Sequence, residues 1–168
     1  PNLSYEVRPK KESFKSILAL LQDYKDKSVI IYCFSRNDTE KLVSNLKDRG
    51  YKAAAYHAGL DAAQRSKNQE SFIKDEVNIM AATIAFGMGI DKPDVRLVIH
   101  HSLPKSIEGY YQETGRAGRD GLPARCVLFF SYADKFKHDY FIRNISDVAE
   151  KRRAEENLNH VLDYGNLT

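Results

Sequence analysis

Residues 29–34 read VIIYCF, an unbroken apolar, β-branched and aromatic run. A strand with one wet face alternates polar and apolar residues. A run without alternation belongs in a sheet covered on both faces. That requirement constrains the whole chain, because helices must supply both covers. The flanking sequence provides them. Residues 14–24 (FKSILALLQDY) place apolar side chains at 14, 17, 18, 21 and 24, the spacing of one helical face. Asn37 or Asp38 is suited to cap a helix to about Arg49, with apolar positions 42, 43 and 46 and Gly50 as its stop. Asp61 followed by Gln64 resembles a capping box opening a helix to about Lys74.

Further short apolar runs read as strands at 3–7 (an edge strand), 52–56, 77–82, 95–100 and 125–130. Strands separated by helices imply βαβ units and a mostly parallel sheet. The predicted fold is an α/β chain, a three-layer α/β/α sandwich, with ligands expected at the carboxyl ends of the strands. From Asp134 the pattern changes. Residues 132–144 and 145–164 are highly charged and helical, with no strand. The expected organisation is a sandwich over residues 1–133 and a helical appendix over 134–168.

A length of 168 residues suits one domain, at most one and a half. With 42% hydrophobic and 29% charged residues the chain is globular, which excludes long disorder. The two cysteines, Cys33 and Cys126, are too few for a disulfide framework or a cysteine-based zinc site and are expected to be buried free thiols. No apolar run approaches a membrane span and no signal peptide opens the chain, so an intracellular protein without a membrane partner is expected. The net charge of +3 permits a polyanionic partner without requiring one.

Three segments that follow strands carry residues suited to chemistry. In CFSRNDTEK (33–41), Ser35 and Arg36 stand where a buried strand gives way to a helix, a natural seat for phosphate. An ordinary helix cap is the simpler explanation for this segment alone. In ATIAFGMGIDKPDVR (82–96), Gly87 and Gly89 allow close backbone approach to a ligand. Thr83 offers a hydroxyl to a phosphate there, and Asp91 an acceptor for a sugar hydroxyl. In YYQETGRAGRDG (110–121), Arg116 and Arg119 are three residues apart among glycines. Were that segment one helical turn, both guanidiniums would face one side and suit a triphosphate. Basic and aromatic residues near Arg36, Tyr56, His57 and Lys92 could line a nucleic-acid groove. His57, His100 and His101 lack partners at ligand spacing, so a metal site is not expected. Asp75 and Glu76 precede a strand and read as a solvated turn. The sequence holds no Gly-Lys dipeptide, and therefore no phosphate loop of the G-x-x-x-x-G-K-[ST] kind.

Taken in order, IIYCFSRNDTEKL, AAYHAGL, ATIAFGMGIDKPDVRLVIHH and LPKSIEGYYQETGRAGRDGLPARCVLFF resemble the second RecA-like lobe of superfamily 2 helicases, most closely the RecQ family of DNA helicases. The likeness covers about residues 3–133 and continues more loosely through the appendix, which is similar to helices entering the RecQ zinc-binding domain. The resemblance implies an ATP-driven 3′-to-5′ motor on single-stranded DNA, with ATP and Mg²⁺ as cofactors. The first lobe of the same polypeptide would supply the phosphate loop and the Mg²⁺ ligands, and zinc would belong to a downstream domain. By motif position, Arg119 would be an arginine finger and Arg116 its partner on the phosphates. Gln112 would belong to the same motif, and Asp91 would contact ribose beside Gly87 and Gly89. Thr83, Ser35, Arg36 and His57 would contact DNA phosphates. The lobe alone is expected to hydrolyse no ATP. Alternatives are a stand-alone RecA-like nucleic-acid-binding module without turnover, or a lobe of an RNA helicase. RNA-type relatives usually carry a His-Arg-led motif where this chain has Gln112-Glu113.

Overall fold

The computed structural model describes residues 2–83, 92–104, 106–131, 134, 139 and 142–166. Among these, six strands form one sheet: β1 (Leu3–Pro9), β2 (Ser28–Cys33), β3 (Ala53–Tyr56), β4 (Ile79–Thr83), β5 (Val95–His100) and β6 (Ala124–Phe130). Their order is β1-β6-β5-β2-β4-β3, and every neighbouring pair is parallel. The helices are α1 (Ser13–Asp23), α2 (Arg36–Asp48), α3 (Ala62–Ile73), α4 (Ile107–Thr114) and α5 (Val148–Asn166).

All six residues of β2 are buried, because it lies inside the sheet and both faces are covered. Side chains alternate between the faces. Val29, Ile31 and Cys33 pack with Ile17, Leu20 and Leu21 of α1 and with Leu42, Val43 and Leu46 of α2. Ile30 and Tyr32 face the other layer, with Phe72 of α3, Met80 of β4 and Ala117 beyond α4. Full burial of each large apolar side chain is worth about 1.5–3 kcal/mol, so these two layers dominate what holds the sandwich together. Cys33 and Cys126 are both buried free thiols.

Several local expectations shift. The cap of α2 is Ser35, not Asn37 or Asp38: its hydroxyl accepts from the Asp38 N–H at 3.1 Å, so the helix begins two residues earlier. Asp61 caps α3 through the Gln64 N–H, yet the Gln64 side chain turns outward to Asn68 and leaves the box half made. Strand β4 starts at Ile79 rather than Val77. The N–H groups of Glu76 and Val77 are still engaged by Ser71 of α3, at 2.8 and 3.2 Å, and cannot enter the ladder.

Residues 115–120 are not a helical turn. They form successive turns, with Gly118 at φ +60, a left-handed conformation that breaks the α path between Arg116 and Arg119. The appendix is docked rather than free. Leu158, Val161 and Leu162 of α5 pack on Leu103, Ile107 and Phe130. Gly165 lies so close to Phe130 that an added Cβ would come within 2.0 Å of the ring. Asp134, 2% exposed, is paired with Lys10 at 2.9 Å.

Candidate functional site

Because the sheet is parallel throughout, the carboxyl ends of β2, β4 and β3 share one edge and are neighbours along it. Ser35, Thr83 and His57 follow or close those three strands, so the fold brings these candidates and Arg36 together at one edge. Thr83 is the last residue of β4, in register with Cys33, and is 5% exposed. Arg36 is exposed at the first turn of α2. The dipole of α2 and the remaining N–H groups of its first turn point to the same edge.

His57 is fastened on both ring nitrogens. Nδ1 accepts from the Gly59 N–H at 3.0 Å, which leaves the proton on Nε2 to be donated to Glu40 at 2.6 Å. The loop after β3 is thus tied to α2. It is tied to α3 as well, since Arg65 donates to the Leu60 carbonyl at 2.7 Å. The Arg36 side chain crosses Gly59, where an added Cβ would come within 3.1 Å of both Arg36 and His57.

Lys92 does not join this edge, contrary to its grouping with Arg36 and His57 in the sequence. It is 4% exposed, with Asp75 at 2.8 Å, Asp94 at 2.6 Å and the Phe72 ring centroid at 5.8 Å. Asp75 is correspondingly more than a solvated turn: it is an exposed carboxylate fixed on a buried ammonium. Burial opposes the charge on Lys92, but the two carboxylates outweigh it and hold the ammonium above the ordinary lysine range.

Gln112, Arg116 and Arg119 lie on α4 and the turns after it. The turn that carries Arg119 sits at the amino-terminal side of β5, whereas Arg116 bears on Tyr32 near the carboxyl end of β2. Gln112 is exposed. Arg116 is half-buried, and its positive charge bears on the Tyr32 hydroxyl. Arg119 is exposed, and its Nε approaches the Gly115 carbonyl at 3.4 Å. The turn that carries Arg119 is bonded to the amino-terminal side of β5, through Gly118 N–H to Val95 O and Asp120 N–H to Pro93 O. The ion pair of Arg96 with Asp120 at 2.5 Å closes the same turn. The two arginines therefore bear on different partners, as expected once Gly118 has broken the helix. Gly87, Gly89 and Asp91 lie outside the described residues.

Of His57, His100 and His101, the first two have carboxylate partners that their sequence spacing hides. His57 meets Glu40 from 17 residues away, and His100 meets Glu113 at 2.9 Å from 13 residues away. Neither pair forms a metal centre: among the described residues no group of three or more His, Cys, Asp or Glu could hold an ion. Glu113, His100, Tyr32 and Glu40 were not singled out from the sequence as site residues. The available signal was a histidine closing the apolar run of residues 97–99 in a buried strand, which is costly unless something meets it. Among the described residues no helix is long and apolar enough to cross a membrane.

Comparison with known proteins agrees with this architecture. The helicase conserved C-terminal domain family matches residues 10–121. The chain is 47% identical over 167 residues to the ATP-dependent DNA helicase hus2/rqh1 of Schizosaccharomyces pombe, covering 98% of this chain and 13% of that protein. It is 51% identical over 134 residues to the ATP-dependent DNA helicase RecQ of Haemophilus influenzae, covering 80% of this chain and 22% of that protein. The chain thus spans less than a quarter of the length of either. Among solved structures, a DEAD box protein from the hyperthermophile Methanococcus jannaschii superposes with a TM-score of 0.68 at 29% identity, over 84% of this chain and 39% of that one. The chain belongs to the helicase conserved C-terminal domain family, in the form carried by RecQ-type ATP-dependent DNA helicases.

Proposed function

We propose that the protein carrying this chain is an ATP-dependent 3′-to-5′ DNA helicase, and that residues 1–133 are its second motor lobe. The observation that carries this reading is the 47% identity to a protein named as an ATP-dependent DNA helicase, which runs through 98% of the chain and not through one motif. In this reading residues 134–168 lead toward a RecQ-type zinc-binding domain, where zinc would reside. The partners are DNA and the first lobe of the same polypeptide, which would supply the phosphate loop and the Mg²⁺ ligands.

The residues present suit ATP. Arg116, Arg119 and Gln112 are cations and an amide on one helix and its following turns, the donors that a polyphosphate accepts. Bound ATP supplies the phosphoryl group and the free energy of its hydrolysis. Arg119, exposed and on a turn pinned to β5, serves as the arginine finger presented to the first lobe. A preplaced guanidinium offsets the charge that grows on the phosphoryl group in the transition state, worth about 10³–10⁵ in rate in GTPases. Arg116 steadies the phosphates, and Asp91, with Gly87 and Gly89 shaping its loop, receives the ribose. Ser35, Arg36, Thr83 and His57 serve the DNA backbone at the carboxyl ends of β2, β4 and β3. Ser35 and His57 act chiefly through their loops, because their polar atoms already hold backbone and Glu40. The lobe closes on the nucleotide and reopens after hydrolysis, shifting its grip on one strand.

The test is Arg119→Ala in the full-length protein. DNA-stimulated ATPase is expected to fall by about 10³ or more with DNA affinity retained. Near-normal turnover would remove Arg119 from this role. Stimulation by RNA in preference to DNA would overturn the choice of polymer.

A further inference from the structure

Beneath the arginine-bearing turn lies a buried polar group that the proposed mechanism leaves without a task. His100 ends β5 at 0% exposure. Its Nε2 is 2.9 Å from Glu113 Oε1. A carboxylate only accepts, so the imidazole proton is on Nε2 and is donated to Glu113. Nδ1 has no hydrogen-bond partner among the described residues. The ring stacks on Tyr32, with centroids 4.8 Å apart and planes at 23°, and meets the edge of Tyr110 at 4.8 Å. The Tyr32 hydroxyl, on a ring 3% exposed, in turn lies within the influence of the Arg116 guanidinium.

Stability does not account for this arrangement. A phenyl ring at position 100 would fill the same stack without stranding a buried nitrogen. What the imidazole adds is one directed bond to Glu113. Glu113 is three residues before Arg116, and the Arg116 N–H bonds back to the Glu113 carbonyl at 3.3 Å. An arginine side chain carries about 2 kcal/mol of rotamer entropy, so a guanidinium ready for phosphate must be held by something already rigid.

We propose that His100 and Glu113 are positioning residues for Arg116. His100 locks the Glu113 end of α4 to β5 and sets the plane of Tyr32, on whose hydroxyl the guanidinium bears. This inference rests on the reading of Arg116 as a phosphate-steadying residue.

The experiment uses the full-length protein and DNA-stimulated ATPase. Glu113→Gln keeps an acceptor but loses the charge. His100→Phe keeps the ring stack, and Tyr32→Phe removes only the hydroxyl. Each is expected to lower kcat/KM for ATP about tenfold, with thermal midpoints near that of the parent. The same three changes are then made in an Arg116→Lys background, where the guanidinium fork is gone. There each is expected to cost less than about twofold, because its route of action has been removed. A full tenfold loss in the Lys background would overturn the positioning role, as would unchanged kcat/KM in the parent. If instead Arg116→Lys turns over ATP like the parent, it is the role given to Arg116 that fails. The two failures are thus told apart.

Discussion

Asp75 stands in the left-handed region at φ 62 with its carboxylate 2.8 Å from the buried Lys92 ammonium. The position is the first beyond the C-cap of α3. Glu76 N–H bonds Ser71 O and Asp75 N–H bonds Phe72 O, the pair of bonds that usually places glycine there. Glycine would relieve the backbone but supply no carboxylate to Lys92. The partners are unequal: Lys92 is 4% exposed, Asp75 66% and Asp94 52%.

Removal from the two sides should therefore differ. Lys92→Met leaves two exposed carboxylates and fills the same volume, at an expected cost near 1 kcal/mol or below. Asp75→Asn combined with Asp94→Asn strands a buried ammonium, at an expected cost of about 3 kcal/mol or more. Urea unfolding of the three proteins measures both. Equal losses would mean that Lys92 is not confined as described.

Gly118→Ala should destabilise the turn that carries Arg119. At φ +60 an alanine costs about 1–2 kcal/mol. Its Cβ would also fall 3.0 Å from Leu122 O and 2.5 Å from the Asn2 amide. That amide bonds the carbonyls of Gly118 and Leu122 at 2.7 and 2.9 Å. Thermal unfolding should register the loss. In the full-length protein ATPase should fall along with it, whereas Gly121→Ala, with open space around its Cβ, should cost only its backbone strain.

Gly165→Ala tests the docking of the appendix. Its Cβ would overlap the Phe130 ring at 2.0 Å, so α5 must lift or Phe130 must turn. Overpacking of this kind costs about 1–3 kcal/mol. Hydrogen exchange should then quicken in α5 before the sheet. Protection unchanged along α5 would show that the helix is held without this contact.

Cys126 provides a prediction in pH. Burial pushes its thiol up to about 12 from an ordinary 9. The folded state thus holds the proton where the unfolded chain has lost it. Stability from this group is complete below pH 9 and drains as pH rises toward 12, by about 1.4 kcal/mol per pH unit within that window. Cys126→Ala should flatten the alkaline limb of a stability profile. The native thiol should resist alkylation at pH 8 and react once the chain is unfolded.

The parallel sandwich was legible because it depends on period and burial, which a sequence displays directly. The run at 29–34 reappears as β2, and the helical face read at 14, 17, 18, 21 and 24 as the covered side of α1, where Ile17 and Leu21 are joined by Leu20 in full burial and Phe14, Leu18 and Tyr24 are partly buried. What escaped was long-range pairing between polar groups. Nothing near His100 in the chain announces Glu113, and nothing near Lys92 announces Asp75, because the sheet order joins them. At the arginine turn the condition of a helical turn fails for a different reason. Arg116 and Arg119 have helical spacing, but Gly118 takes the one conformation that spacing alone does not reveal. At Ser35 two readings competed, phosphate seat and cap, and its hydroxyl makes the cap.

Strand β2 touches both candidate regions. Tyr32 meets Arg116 on one side, and three residues later Ser35 opens the edge that carries Arg36. Tyr32 and Cys33 are the last two residues of the strand, and only Phe34 separates them from Ser35. The strand is buried and bonded to β4 and β5 along its length. Tyr32 and Ser35, three residues apart, thus set the two candidate regions on one short, fixed piece of backbone.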